Sequence, residues 1–264
     1  MERPPTGPEI EELAAQLRRA GSVFAEDEAA LLLREFEGNE LAEAVLARCE
    51  GEPLEQIVGW ALFAGVRIAV HPGVFVPRRR TELLLELALS RLPRHGVLVE
   101  MCCGAAPVAT AVATARSDVR VHACDLLPAS VLCALENLAP LGGTALAGDL
   151  ADGVPEELDG RVDVLVANAP YVPSAQLSLM PREARVHEPV VALDGGDDGT
   201  RVQARVAELA PGLLRPGGVL LVETSRPQAA RTAEIVEAAG MLAVVHTDDE
   251  LDGTAVSGVL PETD

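Results

Sequence analysis

Hydrophobic residues recur at helical spacing through the first part of the chain. Ile10, Leu13 and Leu17 are three or four positions apart, and a second apolar series extends over residues 31–45. Apolar residues at this spacing share one face of a helix, so the pattern predicts a bundle of helices. We therefore assign residues 1–64 to a small N-terminal helical domain.

A short alternating segment follows the helical region. Residues 66–70 alternate in character, and Pro72-Gly73 comes directly after them, which favours a hairpin. We predict that residues 65–80 are a linker hairpin between two domains. Thr81 is then expected to cap a helix that continues to about Leu92.

From Gly96 onward, compact β-rich runs alternate with helical stretches. The predicted strands are residues 97–101, 119–124, 162–167 and 219–223, and the predicted helices are residues 108–115, 129–138, 201–214 and 228–239. Such alternation indicates an α/β domain with a doubly wound, mostly parallel sheet, here over residues 81–264. Residues 242–246 and 255–259 are expected to add a terminal antiparallel pair.

The composition is that of a globular chain with a core of Ala, Val and Leu. Hydrophobic residues make up 48% of the 264 positions, whereas aromatic residues make up only 2%. No charge-free apolar run is long enough to span a bilayer, and the N-terminus is acidic and proline-rich instead of basic and then apolar. We expect a cytoplasmic protein with no membrane partner.

Charge and cysteine content disfavour two further classes of site. All 21 basic residues are Arg, and the 41 acidic residues give a net charge of −20. This charge opposes attraction to a phosphate backbone, so we expect no nucleic-acid partner. The five cysteines lack the paired short spacings of a zinc site, so we expect no metal and buried free thiols.

Residues suited to a nucleoside ligand follow successive predicted strands. Gly104 lies in a turn of small residues before a helix, where the backbone can approach a carboxylate such as that of a methionine moiety. Asp125 ends the next strand 21 residues later and can accept from ribose hydroxyls, and Asp149 can accept from an adenine amino group. These residues favour an adenosine-containing cofactor, whereas a P-loop is excluded because the chain has no Lys.

A second constellation follows the strand over residues 162–167. The strand ends at Asn168-Ala169-Pro170-Tyr171. The side-chain oxygen of Asn168 and a neighbouring carbonyl can accept both hydrogens of an NH2 group, Tyr171 can pack on the planar group, and Pro170 biases Ala169 toward an extended backbone. The motif indicates a site for a planar nitrogen nucleophile, although an ordinary strand-to-turn connection can contain the same residues.

The order of these motifs resembles the HemK/PrmC family of protein-glutamine N5-methyltransferases, which modify the Gly-Gly-Gln glutamine of peptide-chain release factors. The resemblance covers most of the chain and rests on residues 74–82, 100–107, 168–171, 187–189, 192–199 and 214–218. It implies a Rossmann-like class I S-adenosylmethionine-dependent methyltransferase fold with an antiparallel terminal strand. It also implies that the N-terminal helical domain recognises a protein substrate with an exposed glutamine, such as a release factor.

The resemblance further implies S-adenosylmethionine as methyl donor and a set of site residues. The cofactor is expected to contact Phe75, Arg78, Thr81, Glu100, Cys102, Gly104, Asp125, Leu126, Asp149, Leu150 and Asn168. The substrate amide is expected to contact Asn168, Ala169, Pro170 and Tyr171, with Asn168 and Tyr171 as the catalytic residues.

The sequence departs from the family pattern in the cofactor loop, in the substrate motif and in the linker. Ala169 replaces a proline, Cys102 and Ala106 replace glycines, and Arg79-Arg80 replace Pro-Asp. The added Cβ atoms narrow the cofactor loop. The chain therefore looks like a divergent relative of the release-factor enzymes.

In-line methyl transfer to a side-chain amide nitrogen is the expected reaction. It depends on alignment and on acceptors around the nitrogen more than on a strong base, so we expect His187 to be structural. One alternative is N-methylation of adenine or cytosine in nucleic acid, for which Arg78-Arg79-Arg80 is the one local basic cluster. Another is a noncatalytic binding protein with the same fold. The acceptor itself stays open between a release factor, another protein glutamine and a small molecule.

Overall fold

The computed structural model describes residues 5–262, which form a helical N-terminal part followed by an α/β part. The N-terminal helices are α1 (Gly7–Arg19), α2 (Ala25–Glu35), α3 (Gly38–Glu50) and α4 (Leu54–Val58). Their apolar faces meet in one cluster that includes the buried residues Leu17, Ala29 and Leu32. The predicted helices are confirmed, and they enclose a small core of their own.

The segment after the bundle is an antiparallel hairpin of β1 (Trp60–Phe63) and β2 (Val66–Ala69). Its turn is Ala64-Gly65, where both φ angles are positive (48° and 78°), as the tightest hairpin turns require. Pro72-Gly73, which the sequence indicated as the turn signal, lies beyond β2. Asn137 holds the hairpin against the α/β part, because its side chain both accepts from the N–H and donates to the carbonyl of Ala69.

The α/β part contains the other helices and strands. The helices are α5 (Glu82–Arg91), α6 (Pro107–Ala115), α7 (Pro128–Leu138), α8 (Arg182–His187), α9 (Arg201–Leu213) and α10 (Ala229–Ala238). The strands are β3 (Val97–Met101), β4 (Arg120–Asp125), β5 (Thr144–Ala147), β6 (Val162–Ala167), β7 (Val172–Pro173), β8 (Asp194–Gly196), β9 (Leu214–Glu223), β10 (Leu242–Asp248) and β11 (Gly253–Val259).

The central sheet has seven strands in the order β5-β4-β3-β6-β9-β11-β10. The five strands from β5 to β9 pair in parallel, whereas β11 is antiparallel to both β9 and β10. This arrangement confirms the mostly parallel sheet with an antiparallel terminal strand. It also places the carboxyl ends of β3, β4, β6 and β9 at one edge, where open α/β sheets bind their ligands.

Both faces of the sheet are covered. Along β3, Val97, Val99 and Met101 contribute to one hydrophobic cluster, and Leu98 contributes to the other. Because successive strand residues point to opposite faces, this alternation shows a doubly wound sheet with helices on both sides.

One strand begins earlier than the sequence predicted. The expected start of β9 was residue 219, but the strand begins at Leu214, which pairs with Val162 across an irregularity in register. Pro216, Gly217 and Gly218 disfavour regular strand pairing. They lie within the irregularity, between the paired residues Leu214 and Val219, and Gly217 has a φ of 76°.

Residues 168–200 connect β6 to α9 by a long segment that contains β7, α8 and β8. The sequence pattern predicted no regular elements here. The paired strands β7 and β8 fold this segment back beside the end of β6. Within residues 5–262, no helix is long and apolar enough to cross a membrane.

Candidate functional site

A cavity of about 710 Å³ opens at the carboxyl ends of the central strands. It is lined by all fourteen residues that the sequence assigned to the site: Phe75, Arg78, Thr81, Glu100, Cys102, Gly104, Asp125, Leu126, Asp149, Leu150, Asn168, Ala169, Pro170 and Tyr171. Residues almost 100 positions apart therefore meet in one place. Their spatial association is as predicted, and the role of each one stays a proposal.

Glu100, the fourth residue of β3, is a buried carboxylate at the floor of this cavity. Its oxygens accept from the main-chain N–H groups of Ala109 at 2.6 Å and Val108 at 3.4 Å, in the first turn of α6. Burial raises the pKa of Glu100 to about 8, although these two hydrogen bonds act in the opposite direction. A cation bound beside Glu100 would favour the ionised carboxylate and lower its pKa.

The loop between β3 and α6 is strained. Cys102, Gly104 and Ala106 all have positive φ angles of 51°, 54° and 55°. Glycine adopts this left-handed conformation freely, whereas a residue with a Cβ atom pays about 1–2 kcal/mol. Cys102 and Ala106, the two residues that stand where the family usually has glycine, thus lie at positions where glycine would be less strained.

Asp125, the last residue of β4, is held by the backbone around the cavity. Its Oδ2 accepts from the N–H of Gly104 and its Oδ1 from the N–H of Leu127, both at 2.9 Å. Burial raises the pKa of this carboxyl. Each oxygen keeps a further lone pair, so Asp125 can still accept from a ligand hydroxyl.

Asp149 lies beyond β5 and is more exposed. Its Oδ2 accepts from Nη2 of Arg205 on α9 at 2.9 Å. Arg205 also lines the cavity, and nothing in the sequence pattern had singled it out. The ion pair fixes the Asp149 carboxylate at the rim beside Leu150.

The linker after β2 forms one wall of the cavity. The Arg78 guanidinium lies over the Phe75 ring, 5.2 Å from its centroid, and makes an ion pair with the buried carboxylate of Glu188. Burial raises the pKa of Glu188, and the charge of Arg78 opposes that shift. This pair ties the linker to the long segment after β6.

Asn168 and Tyr171 lie beside a third buried carboxylate, that of Glu223 at the end of β9. Nδ2 of Asn168 donates to the Thr81 hydroxyl at 3.3 Å, and the Tyr171 hydroxyl donates to Oε1 of Glu223 at 3.2 Å. Glu223 also accepts from Thr81 at 2.6 Å and from Nε of Arg80 at 3.1 Å.

Besides Arg205, the charged residues Arg80, Glu188 and Glu223 were not predicted as site residues from the sequence. They belonged to stretches that were noted for family resemblance or as a basic cluster, or were taken as strand ends. Apolar runs ending in Glu are frequent, so no local signal distinguishes Glu223, and only its three donors reveal its place. His187, weighed as a possible base, does not line the cavity among the described residues.

Cysteines and other potential ligands form no metal cluster within residues 5–262. All five thiols are free; Cys103, Cys124 and Cys133 are buried, whereas Cys49 and Cys102 are half-buried. The expectation of buried free thiols thus holds for three of the five positions.

Known proteins share both the sequence and the fold. The family model of the methyltransferase small domain matches residues 65–196. A release factor glutamine methyltransferase from Mycolicibacterium smegmatis is 39% identical over 211 residues, which make up 79% of this chain and 74% of that protein. The chain belongs to the release factor glutamine methyltransferase family. A second relative with this name, from Bifidobacterium longum, is 32% identical over 271 residues and is matched over 92% of its length by 89% of this chain.

A solved structure supports the fold of this family member. A methyltransferase from Pyrococcus furiosus superposes with a TM-score of 0.56 at 15% identity, covering 75% of this chain and 90% of that one. At that identity the likeness shows the fold alone. Family membership adds the chemistry: the chain is an S-adenosylmethionine-dependent methyltransferase with a class I fold, as its resemblance to this family predicted.

Proposed function

We propose that this chain transfers the methyl group of S-adenosylmethionine to the side-chain amide nitrogen of a glutamine in a peptide-chain release factor. The relatives named above, which match most of the chain, support this substrate. The observation that carries the proposal is the placement of Asn168: it lines the same cavity as Glu100 and Asp125, and its NH2 group is already held by Thr81. Release factors act in translation, so we expect this reaction to take place in the cytoplasm.

The residues of the cavity fit S-adenosylmethionine. The volume lies in the range of small-molecule and cofactor sites. We assign the amino group of the cofactor to the Glu100 side, the ribose hydroxyls to Asp125 and the adenine amino group to Asp149, because each of these ligand groups needs an acceptor. When bound, the cofactor supplies a methyl group on a sulfonium with a good leaving group.

The chain's own residues orient the acceptor amide. Oδ1 of Asn168 and the carbonyl of Ala169 would accept the two hydrogens of the glutamine NH2 group, while the Tyr171 ring packs against its plane. These acceptors favour the positive charge that builds on the nitrogen during transfer. Holding the nitrogen in line removes most of the entropic barrier, so alignment is the main contribution of the site.

Tyr171 is not a general base in this scheme. Burial, together with the nearby Glu223 carboxylate, raises the pKa of Tyr171 to about 12. Its hydroxyl is therefore protonated at neutral pH and donates to Glu223. Tyr171 acts through the position of its ring.

We assign recognition of the protein substrate to the helical domain of residues 1–64, with residues 65–80 as linker and residues 81–264 as the methyltransferase domain. Two contacts between the bundle and the segment after β6 support this assignment. Nη1 of Arg182 donates to the carbonyl of Glu50 at 2.8 Å, and Nη1 of Arg48 lies 3.7 Å from Glu183. A protein bound on the bundle would thus lie next to the wall of the cavity.

Methylation of nucleic acid is the weaker alternative. The one basic cluster that favoured it is Arg78-Arg79-Arg80, and two of its three charges are neutralised by buried carboxylates, Arg78 by Glu188 and Arg80 by Glu223. Little positive charge is left there to attract phosphates.

Methyl transfer to a purified bacterial release factor tests the proposal. With labelled S-adenosylmethionine, we expect label on the release factor and a mass gain of one methyl group on its Gly-Gly-Gln glutamine. Asn168→Ala should lower kcat by about 100-fold or more, since one acceptor of the amide is lost. Glu237→Ala, at an exposed position on α10 outside both the cavity and the helical domain, is the control and should leave transfer unchanged.

Two results would contradict the proposal. A wild-type kcat in Asn168→Ala would exclude the amide clamp, that is, the binding of the glutamine amide by Asn168, Ala169 and Tyr171. Failure of the wild-type protein to bind S-adenosylhomocysteine in calorimetry would instead favour the noncatalytic binding protein.

A further inference from the structure

The carboxylate of Glu223 accepts hydrogen bonds from three side chains, those of Arg80, Thr81 and Tyr171. Its side chain is 2% exposed and lies at the end of β9. Oε2 accepts from the Thr81 hydroxyl, and Oε1 accepts from the Tyr171 hydroxyl and from Nε of Arg80. An ionised carboxylate only accepts hydrogen bonds, so all three partners must direct their hydrogens toward it.

This requirement fixes the direction of the next hydrogen bond. A threonine hydroxyl has one hydrogen, and Thr81 gives it to Glu223 over 2.6 Å. Toward Asn168 the Thr81 oxygen can then only accept, so the group of Asn168 that faces it must be the NH2 group. The other end of the amide, Oδ1, makes no hydrogen bond with residues 5–262 and is left for a ligand.

The orientation of this amide decides what the cavity can bind. With Nδ2 toward Thr81, Asn168 presents an acceptor to the cavity, which suits an NH2 group. If the amide were reversed, its own NH2 group would face the NH2 group of the substrate, and neither could accept from the other. The two ends of a side-chain amide have nearly the same shape, so a hydrogen-bond partner that can only accept or only donate decides which end faces it.

We propose that Glu223, acting through the Thr81 hydroxyl, sets the amide orientation of Asn168 and thereby makes the site selective for an NH2-bearing acceptor. The inference deepens the proposed function and rests on it. Glu223 and Thr81 are positioning residues in this arrangement. Glu223 also anchors the Tyr171 hydroxyl, so one buried carboxylate orients both side chains of the amide clamp. Arg80 supplies the compensating charge and lies over the Tyr171 ring, 5.9 Å from its centroid.

The role of Thr81 differs here from the one that family resemblance implied. A cofactor contact at Thr81 would affect cofactor affinity, whereas an orienting hydroxyl affects the rate of transfer. The two roles can therefore be separated by measuring kcat beside the affinity for S-adenosylhomocysteine.

Thr81→Val keeps the shape of the side chain and removes the hydroxyl. We expect kcat for release-factor methylation to fall by about 100-fold, because a misdirected acceptor misaligns the amide, while the affinity for S-adenosylhomocysteine changes less than about twofold. Thr81→Ser restores the hydroxyl and should recover most of the rate. Thr247→Val, at an exposed position on β10, is the control and should leave both quantities unchanged. Glu223→Gln should also lower kcat, since a glutamine can donate to Thr81 and reverse the order of donors.

A readout without turnover keeps this inference separate from the proposed function. In NMR spectra of the protein, the side-chain NH2 resonances of Asn168, assigned through Asn168→Ala, should show slowed hydrogen exchange that Thr81→Val abolishes and Thr81→Ser retains. Unchanged exchange in Thr81→Val overturns the orienting role even if release factor is the substrate. A loss of cofactor affinity that matches the loss of kcat would overturn it too, and would make Thr81 a cofactor contact. Slowed exchange together with no transfer to release factor would keep the orienting role and reject the proposed substrate.

Discussion

Oε2 of Glu100 accepts a hydrogen bond of 2.6 Å from the main-chain N–H of Ala109. The carboxylate thus lies near the end of β3 and accepts from the first turn of α6, whose free N–H groups favour negative charge. Burial still dominates and raises the pKa of Glu100 to about 8. The site therefore keeps a proton at neutral pH until a cation approaches.

We expect the free energy of unfolding of the cofactor-free protein to fall as pH rises from about 4.5 to about 8. Glu100 titrates near 4.5 in the unfolded chain and near 8 in the folded one, so folding binds a proton in this window. The stabilisation from protonated Glu100 is complete below about pH 4.5 and is lost as pH rises through about 8. The free energy of unfolding then falls by no more than about 1.4 kcal/mol per pH unit.

Urea unfolding of wild type and of Glu100→Gln across this window measures the effect. The glutamine cannot titrate, so the stability of the variant should decline less steeply than that of wild type. All other titrating groups are common to both proteins and cancel in the difference. Parallel stability curves would show that Glu100 is ionised in the folded state throughout.

Cys102→Gly should strengthen cofactor binding by about fivefold, which corresponds to about 1 kcal/mol. Cys102 lines the cavity at a φ of 51°, so glycine there removes both a side chain from the ligand space and a strained conformation. Calorimetry with S-adenosylhomocysteine is the measurement. Ala106→Gly relieves the same kind of strain at a residue that does not line the cavity, and should leave the affinity unchanged. Equal affinities for Cys102→Gly and wild type would mean that the cofactor loop is wide enough as it stands.

Arg48→Met should lower the free energy of unfolding by about 3 kcal/mol. Arg48 makes two hydrogen bonds to the Glu28 carboxylate, at 2.8 and 3.0 Å, and both side chains are mostly buried. The substitution leaves Glu28 buried without its partner. Arg231→Met removes an exposed ion pair with Glu234 and should cost less than about 0.5 kcal/mol in the same urea experiment. A similar small loss for both variants would show that the Arg48 pair is hydrated.

The local pattern predicted most elements closely because each depends on its own residues. Strands β3 and β6 have the predicted bounds. Helices α6 and α7 each begin one residue earlier than predicted, and α10 is one residue shorter at each end. The exceptions are places where pairing partners overrule local preference. Strand β9 begins at Leu214 because Val162 of β6 pairs with it, in spite of the Pro and Gly that follow. The hairpin turn is at Ala64-Gly65, where an alanine accepts a positive φ to join two strands.

The residues of the candidate site likewise include some that the sequence predicts and others that only tertiary contacts reveal. Asp125, Asp149 and Asn168 could be found from sequence because each lies at or within two residues of the end of a parallel strand, and such ends converge at one edge. Glu223 ends a strand as well, yet its importance depends on Thr81, Arg80 and Tyr171, which are 52 to 143 residues away along the chain. No pattern within one segment contains that information.

The sequence by itself determined the alternation of strands and helices and the acidic helical N-terminus, because periodicity, turn chemistry and charge are local properties. Its motifs also resemble those of a methyltransferase family, and that resemblance supplied most of the fourteen predicted site residues, all of which line the cavity. Only the tertiary structure decided the direction of hydrogen bonds, the protonation of Glu100 and the strain at Cys102. These depend on burial and on partners from distant segments, because a carboxylate's pKa and an amide's orientation are set by what surrounds them in space.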